Sequence, residues 1–508
     1  MKEKKAFLPV LLLICAILLA GCGRSGSRDS FQTVSDLNRP DVTIGGQTGS
    51  AHEPLIAEVF PLAKEKQFAG INEMLIALDH GQIDAFVHAQ ESLTAALEEK
   101  PDQYRMLEEP IGETECGMAV SPKTRYPQLV GQLNTFLADL KASGELDELY
   151  QRWMVDSYLK MPEIPLVEDA DADLLVVGTS GELVPNSFYE SDRLVGYDIE
   201  LTLRFAYAYH YRVEFRAESI TARLNDAEFG KVDLLSGGIL KTPERAERVI
   251  FPDTPVYTAP VAVMARGGGR VTDEGFWKGL VSSVEKTLIR EDRWRMILCG
   301  LSVTLLLSLG TLLLGSLTGF ALCMGRRSRL RVLSVIVNGF IGLIDGIPIV
   351  LVLMICFYVV FSGLGLKEIP VAIIAFSISF GCRVAVILDT GMNGVAPGEV
   401  EAAEAMGMTA WQVFRKVQFP QAVGLAFDMY KGQVVTMIKN TSIVGYIAVQ
   451  DLTKVSDIIR ARTYESFFSL VFTALIYFLI ARMGLVLLTL LGKMIDPRSR
   501  SRRRFLSV

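Results

Sequence analysis

The stretch EAAEAMGMTAWQVFRKVQFPQA (residues 401–422) decides how the second half of this chain is built. Its charged residues make it too polar to cross a bilayer, although long apolar runs stand on both sides of it. Thr409 and Gln412 have the spacing of a capping box, Gly407 breaks the helical pattern, and Pro420 ends it. The stretch therefore predicts two short helices joined by a turn, on one face of a membrane domain.

The flanking apolar runs predict membrane spans, because about 20 apolar residues in a helix cross the hydrocarbon core of a bilayer. Basic clusters at residues 325–331 and 498–504, with Arg415 and Lys416, would all face the cytoplasm under the positive-inside rule. An odd number of spans then places the N-terminal half outside the cell and the C-terminus in the cytoplasm. The spans themselves would contact the lipids of the cell membrane. Five runs are expected to span: Met296–Met324, Val332–Phe361, Ile369–Met392, Val423–Val449 and Phe467–Leu491.

The start of the chain predicts export. A basic beginning, a short apolar core and the box Leu-Ala-Gly-Cys ending at Cys22 resemble a bacterial lipoprotein signal, in which Cys22 receives lipid after cleavage. An uncleaved anchor helix is the alternative. Both interpretations place the following residues outside the cytoplasm.

The composition excludes several classes of protein. With 508 residues of which 50% are apolar, the chain is too apolar for an ordinary soluble enzyme. A net charge of -6 argues against a nucleic-acid partner. We find no zinc, phosphate-loop or serine-hydrolase motif and therefore expect no catalytic residue, metal or cofactor. Cys116 is the one cysteine of residues 41–266, so no disulfide framework is expected.

Residues 41–266 alternate short β-branched runs with amphipathic helical segments, a pattern typical of an α/β domain. An acidic, proline-containing linker at 161–173 interrupts the pattern, and GGGR at 267–270 ends it. The predicted strands are VTIGG, QIDAFV, LLVVGTS, YRVEF and VDLLSGG, and the predicted helices are Ala51–Phe60, Gln128–Trp153 and Ile199–His210.

The N-terminal half resembles the solute-binding proteins of polar amino-acid ABC importers. Residues 174–206 and 230–257 (LLVVGTSGELVPNSFYESDRLVGYDIELTLRFA and GKVDLLSGGILKTPERAERVIFPDTPVY) resemble the first lobe of that family. Residues 42–58, 81–93 and 131–154 resemble its second lobe with the closing helices. The order is reversed here, so we expect one permuted two-lobed domain; two truncated tandem domains are the alternative.

The resemblance implies a ligand cleft between the lobes. Arg245, in the TPER segment, would hold a ligand carboxylate as a bidentate fork. Gly237 and Gly238 would let the backbone approach the ligand, and Gly49 and Ser50 would offer amide donors at a helix start.

Four other family positions have changed. Ala89 replaces the carboxylate that usually holds the ligand amine, and Leu240 and Ala51 replace hydroxyls. Leu183 replaces a stacking aromatic residue. A conventional α-amino-acid site is therefore in question, and the cleft could take another carboxylate, a more apolar ligand, or nothing.

The opening stretch resembles the coupling motif of ABC importer permeases. In the surrounding spans, GIPIV (346–350) and MIKNTSIVGYI (437–447) extend the resemblance to that family. The resemblance implies that this helix pair docks in a groove of a separate ATPase dimer, and that two permease copies, expected as a homodimer, form one pathway. The alternative is an interfacial helix on lipid. The predicted coupling residues are Glu401, Ala402, Ala403, Gly407, Trp411, Phe414 and Pro420.

The charges that fall within predicted spans include Asp345, Arg383 and Lys439. Asp345 and Arg383 are expected at matching depths, where an isolated charge is costly. We predict that these two form an ion pair beside the substrate route; separate solvation of each is the alternative.

Together the features predict an ABC importer permease with a fused extracytoplasmic binding domain. Its substrates would be amino acids or related small carboxylated solutes. The alternatives are a membrane sensor without transport and a glutamate-receptor-like channel. The predicted regions are a signal at 1–22, a linker at 23–40, a second lobe at 41–160, a linker at 161–173, a first lobe at 174–266, a linker and pre-membrane helix at 267–295, an all-α permease domain at 296–495 and a basic tail at 496–508.

Overall fold

A computed structural model gives the fold. It describes residues 31–495 apart from residues 69, 100, 102, 157–159, 192, 268–275, 365 and 464. The predicted lipoprotein signal with Cys22, residues 23–30 of the first linker and the basic tail at 496–508 lie outside the described residues.

The strands all lie in the N-terminal half among the described residues. They are β1 (Thr43–Gln47), β2 (Lys64–Phe68), β3 (Ala85–Ala89), β4 (Tyr104–Met106), β5 (Gly112–Val120), β6 (Leu174–Thr179), β7 (Glu182–Leu183), β8 (Ser187–Glu190), β9 (Arg193–Val195), β10 (Arg212–Ala217), β11 (Leu234–Leu240) and β12 (Tyr257–Arg266).

The helices are divided between the two halves. Those of the N-terminal half are α1 (Glu53–Val59), α2 (Ile71–Asp79), α3 (Gln90–Glu99), α4 (Leu129–Ser143), α5 (Glu145–Tyr150), α6 (Tyr197–Ala208), α7 (Ile220–Glu228) and α8 (Pro243–Ala246). Those that follow are α9 (Phe276–Val284), α10 (Arg293–Arg326), α11 (Arg331–Gly346), α12 (Ile349–Ile355), α13 (Glu368–Asn393), α14 (Pro397–Ala405), α15 (Ala410–Val413), α16 (Phe419–Asn440), α17 (Leu452–Thr463) and α18 (Ser466–Ile495).

Nine strands form one mixed sheet, in the order β10-β6-β11-β5-β12-β3-β1-β2, with β4 beside β12. We call the part built on the parallel strands β6, β10 and β11 lobe A, and the part built on the parallel strands β1, β2 and β3 lobe B. β5 and β12 run antiparallel to each other and join the lobes, since β5 also pairs with β11 and β12 also pairs with β3. The two sequence segments therefore fold together as one α/β unit.

Helices α4 and α5 follow lobe B in sequence but pack on lobe A. Leu133 and Leu137 of α4 share a buried core with Leu175, Phe205 and the small sheet β7-β8-β9. The leucines recur at helical spacing, so one face of α4 is apolar and needs this cover. This core ties residues before the acidic linker to residues after it.

The C-terminal half is helical and apolar. Among the described residues, three helices are long and apolar enough to cross a membrane: Leu280–Arg326, Glu368–Asn393 and Phe468–Gly492. Two shorter helices, Arg331–Gly346 and Ile349–Val360, are long and apolar enough only when taken together, and the chain bends by 110° between them. Small residues bring α10 and α13 together, because a Cβ on Gly381 would lie 2.4 Å from Thr318 Oγ1.

The prediction of five continuous spans is wrong in two places. The second span is broken before Pro348, which has no N–H to continue the helical hydrogen-bond ladder. Helix α16, which corresponds to the fourth predicted span, ends at Asn440 and does not reach Val449. The chain continues from it as the 3-10 turn Thr441–Ile447. Polar residues such as Asp428 and Lys431 keep it out of the group of described helices that are apolar enough to span.

Candidate functional site

Arg245 connects the two lobes. Thr242 Oγ1 accepts a hydrogen bond from the Arg245 N–H and so caps the four-residue helix α8. The buried guanidinium donates to the Leu240 carbonyl of lobe A and to the Gly49 carbonyl of lobe B, each at 2.9 Å. Burial lowers the pKa of Arg245. The predicted carboxylate-binding residue thus lies at the seam between the lobes, where backbone carbonyls engage it.

Gly237 and Gly238 lie in the middle of β11, in lobe A, where the pairing of β11 with β5 is irregular. Both have positive φ, 82° and 67°, which side chains with a Cβ rarely adopt. A Cβ on Gly237 would lie 2.6 Å from Thr179 Oγ1, and one on Gly238 would lie 2.5 Å from Leu183 Cδ2. Glycine is therefore required at both positions by conformation and by close contact.

The prediction that Ser50 offers an amide donor is wrong. The Ser50 N–H donates to the Gln47 carbonyl within a turn, and Ser50 Oγ accepts from the His52 N–H. Gly49 contributes its carbonyl to Arg245. Because α1 begins only at Glu53, the turn uses these backbone groups itself.

The substituted family positions make part of the seam apolar. Leu240 packs with Cys116 and Ala259 in a small cluster, against which Ala51 and Ala89 also lie. Since hydroxyl and carboxylate groups are missing here, this part of the seam suits an apolar contact.

Two buried imidazoles lie next to the seam. The rings of His52 and His88 are 5.4 Å apart, centroid to centroid, and both residues are buried. Burial lowers the pKa of His52 to about 3 and that of His88 to about 4, so both are neutral at pH 7. Within the described residues, both ring nitrogens of His52 and Nδ1 of His88 lack a hydrogen-bond partner.

Glu91, at the start of α3, is a functional candidate that the sequence reasoning missed. Its Oε1 accepts a hydrogen bond of 3.4 Å from the Tyr150 hydroxyl, and its Oε2 is buried without a partner in the described part of the chain. Burial raises its pKa to about 7. The signal in the sequence was the position of Glu91, two residues after Ala89.

The membrane half contains a cavity of about 370 Å³ beside the bend between α11 and α12. Arg383 Nε lies 3.6 Å from Asp345 Oδ1 on its wall, so the ion pair predicted from the sequence is present. Gln433 and Asn440 of α16 add polar lining. Lys439, the third predicted charge, is exposed and is not among the described lining residues.

The predicted coupling helices are α14 and α15. The Thr409–Gln412 capping box is formed in both directions, at 2.9 and 3.4 Å, and Gly407 makes the turn with φ 82°. Ala403 is buried, and Glu401 and Ala402 are exposed.

An apolar surface remains uncovered on this helix pair. Met406 is 72% exposed and Trp411 is 64% exposed, and the Trp411 ring stacks on Phe414 at 5.5 Å. Pro420 does not end the second helix as predicted. A π-helical turn, Phe414–Gln418, runs into α16. Pro420 occupies the first turn of α16, where the backbone N–H that proline lacks would have no helical partner.

Comparison with known proteins supports the assignment of the C-terminal half. Residues 311–501 match the family "Binding-protein-dependent transport system inner membrane component". The probable amino-acid ABC transporter permease YckA of Bacillus subtilis is 27% identical over 208 residues, which are 41% of this chain and 92% of YckA. The histidine/lysine/arginine/ornithine permease HisQ of Salmonella typhimurium is 29% identical over 194 residues, 36% of this chain and 85% of HisQ.

Among solved structures, one titled as an amino acid ABC transporter with histidines is 28% identical, covers 42% of this chain and 98% of its own, and has a TM-score of 0.38. The relatives are transport subunits and not enzymes, and a sensor or a channel is not favoured by these matches. The C-terminal half of this chain is therefore similar to amino-acid ABC transporter permeases, and it follows an N-terminal α/β domain.

Proposed function

We propose that the chain imports amino acids or related small carboxylated solutes that its own N-terminal domain captures. The match of residues 311–501 to transport permeases carries this proposal, and the names of the relatives supply the solute class. The charges at the seam between the lobes suit such a solute, since Arg245 is a cation and Glu91 is a carboxylate.

In this proposal the ligand carboxylate binds Arg245, and the ligand amine binds Glu91. The Glu91 carboxylate would take over the role left open by Ala89, because its buried Oε2 lacks a partner within the described residues and a cation would satisfy it. The Gly49 turn, whose carbonyl already contacts Arg245, would lie beside the ligand carboxylate. Neutral His52 and His88 are free to donate or accept hydrogen bonds.

We propose that the uncovered surface of α14 and α15 docks in a groove of a separate ATPase dimer. Exposed Met406 and Trp411 support this, since large exposed apolar side chains are typical of a helix that binds in a groove. Two copies of this chain would form the pathway. The N-terminal domain would lie outside the membrane, tethered by a lipid on Cys22, with the C-terminus in the cytoplasm.

The cavity at Asp345 and Arg383 is proposed as part of the transport route. Each of the changes Asp345→Arg and Arg383→Asp should lower uptake by tenfold or more, since an unpaired charge at this depth costs about 2.5–3.5 kcal/mol. The double reversal should recover part of the uptake. Failure to recover, in a double variant that inserts and folds, would count against a role for the pair.

The direct test is binding by the full chain in nanodiscs. We expect at least one of the twenty amino acids to raise its melting temperature, and the deaminated analogue of that amino acid to do so less. Arg245→Ala should weaken binding by about 2–5 kcal/mol. Lys241→Ala, which removes an exposed cation of the same segment, is the control. If neither the amino acids nor their deaminated carboxylate analogues bind, the proposed solute class is wrong.

A further inference from the structure

Helix α17 contacts both lobes of the N-terminal domain. The Lys454 ammonium is paired with the Glu182 carboxylate of β7, in lobe A. Arg460, six residues further along the helix, has Nη2 3.4 Å from Oε1 of Glu73 on α2, in lobe B. Lys454 and Arg460 are both only 8% exposed, so the N-terminal domain and the helix cover them together.

The other face of α17 is fixed to the membrane helices. The fully buried Asp451, just before the helix, accepts a hydrogen bond of 2.8 Å from the Tyr477 hydroxyl of α18. The Leu452 N–H donates to Thr304 Oγ1 of α10 at 3.1 Å. Gly300 allows this approach, because a Cβ there would lie 2.9 Å from the Asp451 carbonyl oxygen.

The two lobes are held unequally. Lobe A has further contacts with the membrane half: Arg216 lies 2.9 Å from Glu368, and Lys231 Nζ lies 4.9 Å from the Phe357 ring centroid. The Arg460–Glu73 contact of lobe B is longer, and the same Arg460 nitrogen also lies 2.5 Å from Asp457 on its own helix. Arg460 therefore keeps a carboxylate partner when Glu73 moves away, and the cost of releasing lobe B is small.

From this arrangement we propose that α17 is the docking surface that senses whether the lobes are closed. Lobe A stays attached at Lys454, and lobe B binds and leaves at Arg460 as the domain hinges on β5 and β12. The buried contacts of Asp451 and Leu452 pass the resulting movement of α17 to α10 and α18. The inference rests on the proposed function only in assuming that ligand entry and release require the lobes to open.

The test measures the distance between the lobes in the full chain in nanodiscs, without ATPase or transport. Nitroxide-bearing unnatural residues replace Ala57 of lobe B and Ala208 of lobe A, both exposed. In the wild type we expect mainly the short distance. Arg460→Gln and Glu73→Gln should each raise the ratio of open to closed molecules by about two- to fivefold, as expected for a weak, partly exposed ion pair. The double reversal, Arg460→Glu with Glu73→Arg, should restore the short distance.

The matched control is Lys431→Gln, which removes the 2.6 Å pair with Asp428 on α16, away from α17. It should leave the distances unchanged. Unchanged distances in Arg460→Gln, or no recovery in the double reversal, would overturn the docking of lobe B on α17. Neither result depends on amino-acid binding, so this inference and the proposed function can fail separately.

A second variant tests the connection to the membrane helices. Gly300→Ala should push α17 from α10 and raise the open-to-closed ratio, although Gly300 touches neither lobe in the described contacts. Gly339→Ala is the control, since a Cβ there has nothing within 4 Å. If Gly300→Ala keeps its helical content and the wild-type distances, α17 is not coupled to α10.

Discussion

The two ends of the permease half carry helices of similar size with opposite surfaces. At one end, α17 presents Lys454 and Arg460, and the N-terminal domain of the same chain covers both. At the other end, α14 and α15 present Met406 and Trp411, which remain open. The long helix α13 separates the two ends. It begins at Glu368, which contacts lobe A, and it finishes just before α14.

The difference shows how each end is suited to its contact. Ion pairs that are partly exposed are weak, so a lobe held by them can bind and leave during each cycle. An apolar surface gains more from burial and favours a contact that persists. The charged end is therefore suited to a reversible contact within the chain, and the apolar end to a stable contact with another subunit.

The largest effect on this comparison is expected from Trp411→Ala. A large aromatic side chain at the centre of a docking surface commonly accounts for about 2–4 kcal/mol of binding free energy. We expect the affinity for the cognate ATPase subunit to fall by that amount, measured by titration of the purified subunits. Leu425→Ala, which removes an exposed apolar side chain of α16, is the control. Equal losses in both variants would show that Trp411 has no special place in the contact.

Much of the fold was predictable because its signals are local. The strands β1, β3, β6, β10 and β11 lie in or overlap short runs with apolar and β-branched residues, and the sequence predicts all of them. The crossover strands β5 and β12 were missed, since GETECGMAV contains two glycines and β12 contains Pro260. Their strand structure depends on pairing with partners more than 100 residues away, such as Gly112 with Val261.

The sites divide in the same way. The Asp345–Arg383 pair was predictable, because helix rise fixes the depth of each charge and unpaired charges are costly in a membrane. The contacts of Arg245 with backbone carbonyls were not, because only the closed packing of the two lobes brings the Gly49 turn to α8. The role of α17 was also hidden, since Glu73 and Arg460 are 387 residues apart.

A smaller effect is expected at Glu91, whose Oε2 has no hydrogen-bond partner within the described residues. Its folded-state pKa of about 7 lies above the ordinary value of 4.5, so the neutral carboxyl stabilises the fold. That contribution is fully present below pH 4.5 and is lost as the pH rises through 7, and the loss amounts to roughly 3 kcal/mol at high pH.

The measurement is chemical denaturation of the ligand-free chain between pH 5 and pH 8. The stability difference between Glu91→Gln and the wild type should grow in favour of the variant as the pH rises. Using this difference cancels the opposite trend of His52 and His88, whose lowered pKa values remove stability as the pH falls. A difference that does not change with pH would mean that the Glu91 carboxyl is not buried as described.

The smallest effect is expected at the turn that shapes the apolar end. Gly407 has φ 82°, and a Cβ there would have nothing within 4 Å, so substitution introduces backbone strain without a clash. Gly407→Ala should therefore lower stability by about 1–2 kcal/mol, and Gly407→Asn by less, because asparagine tolerates the left-handed conformation. Gly424→Ala, at an open position within α16, should lose nothing, since alanine favours a helix. Equal stability of the Ala and Asn variants would show that the left-handed turn does not hold this surface in place.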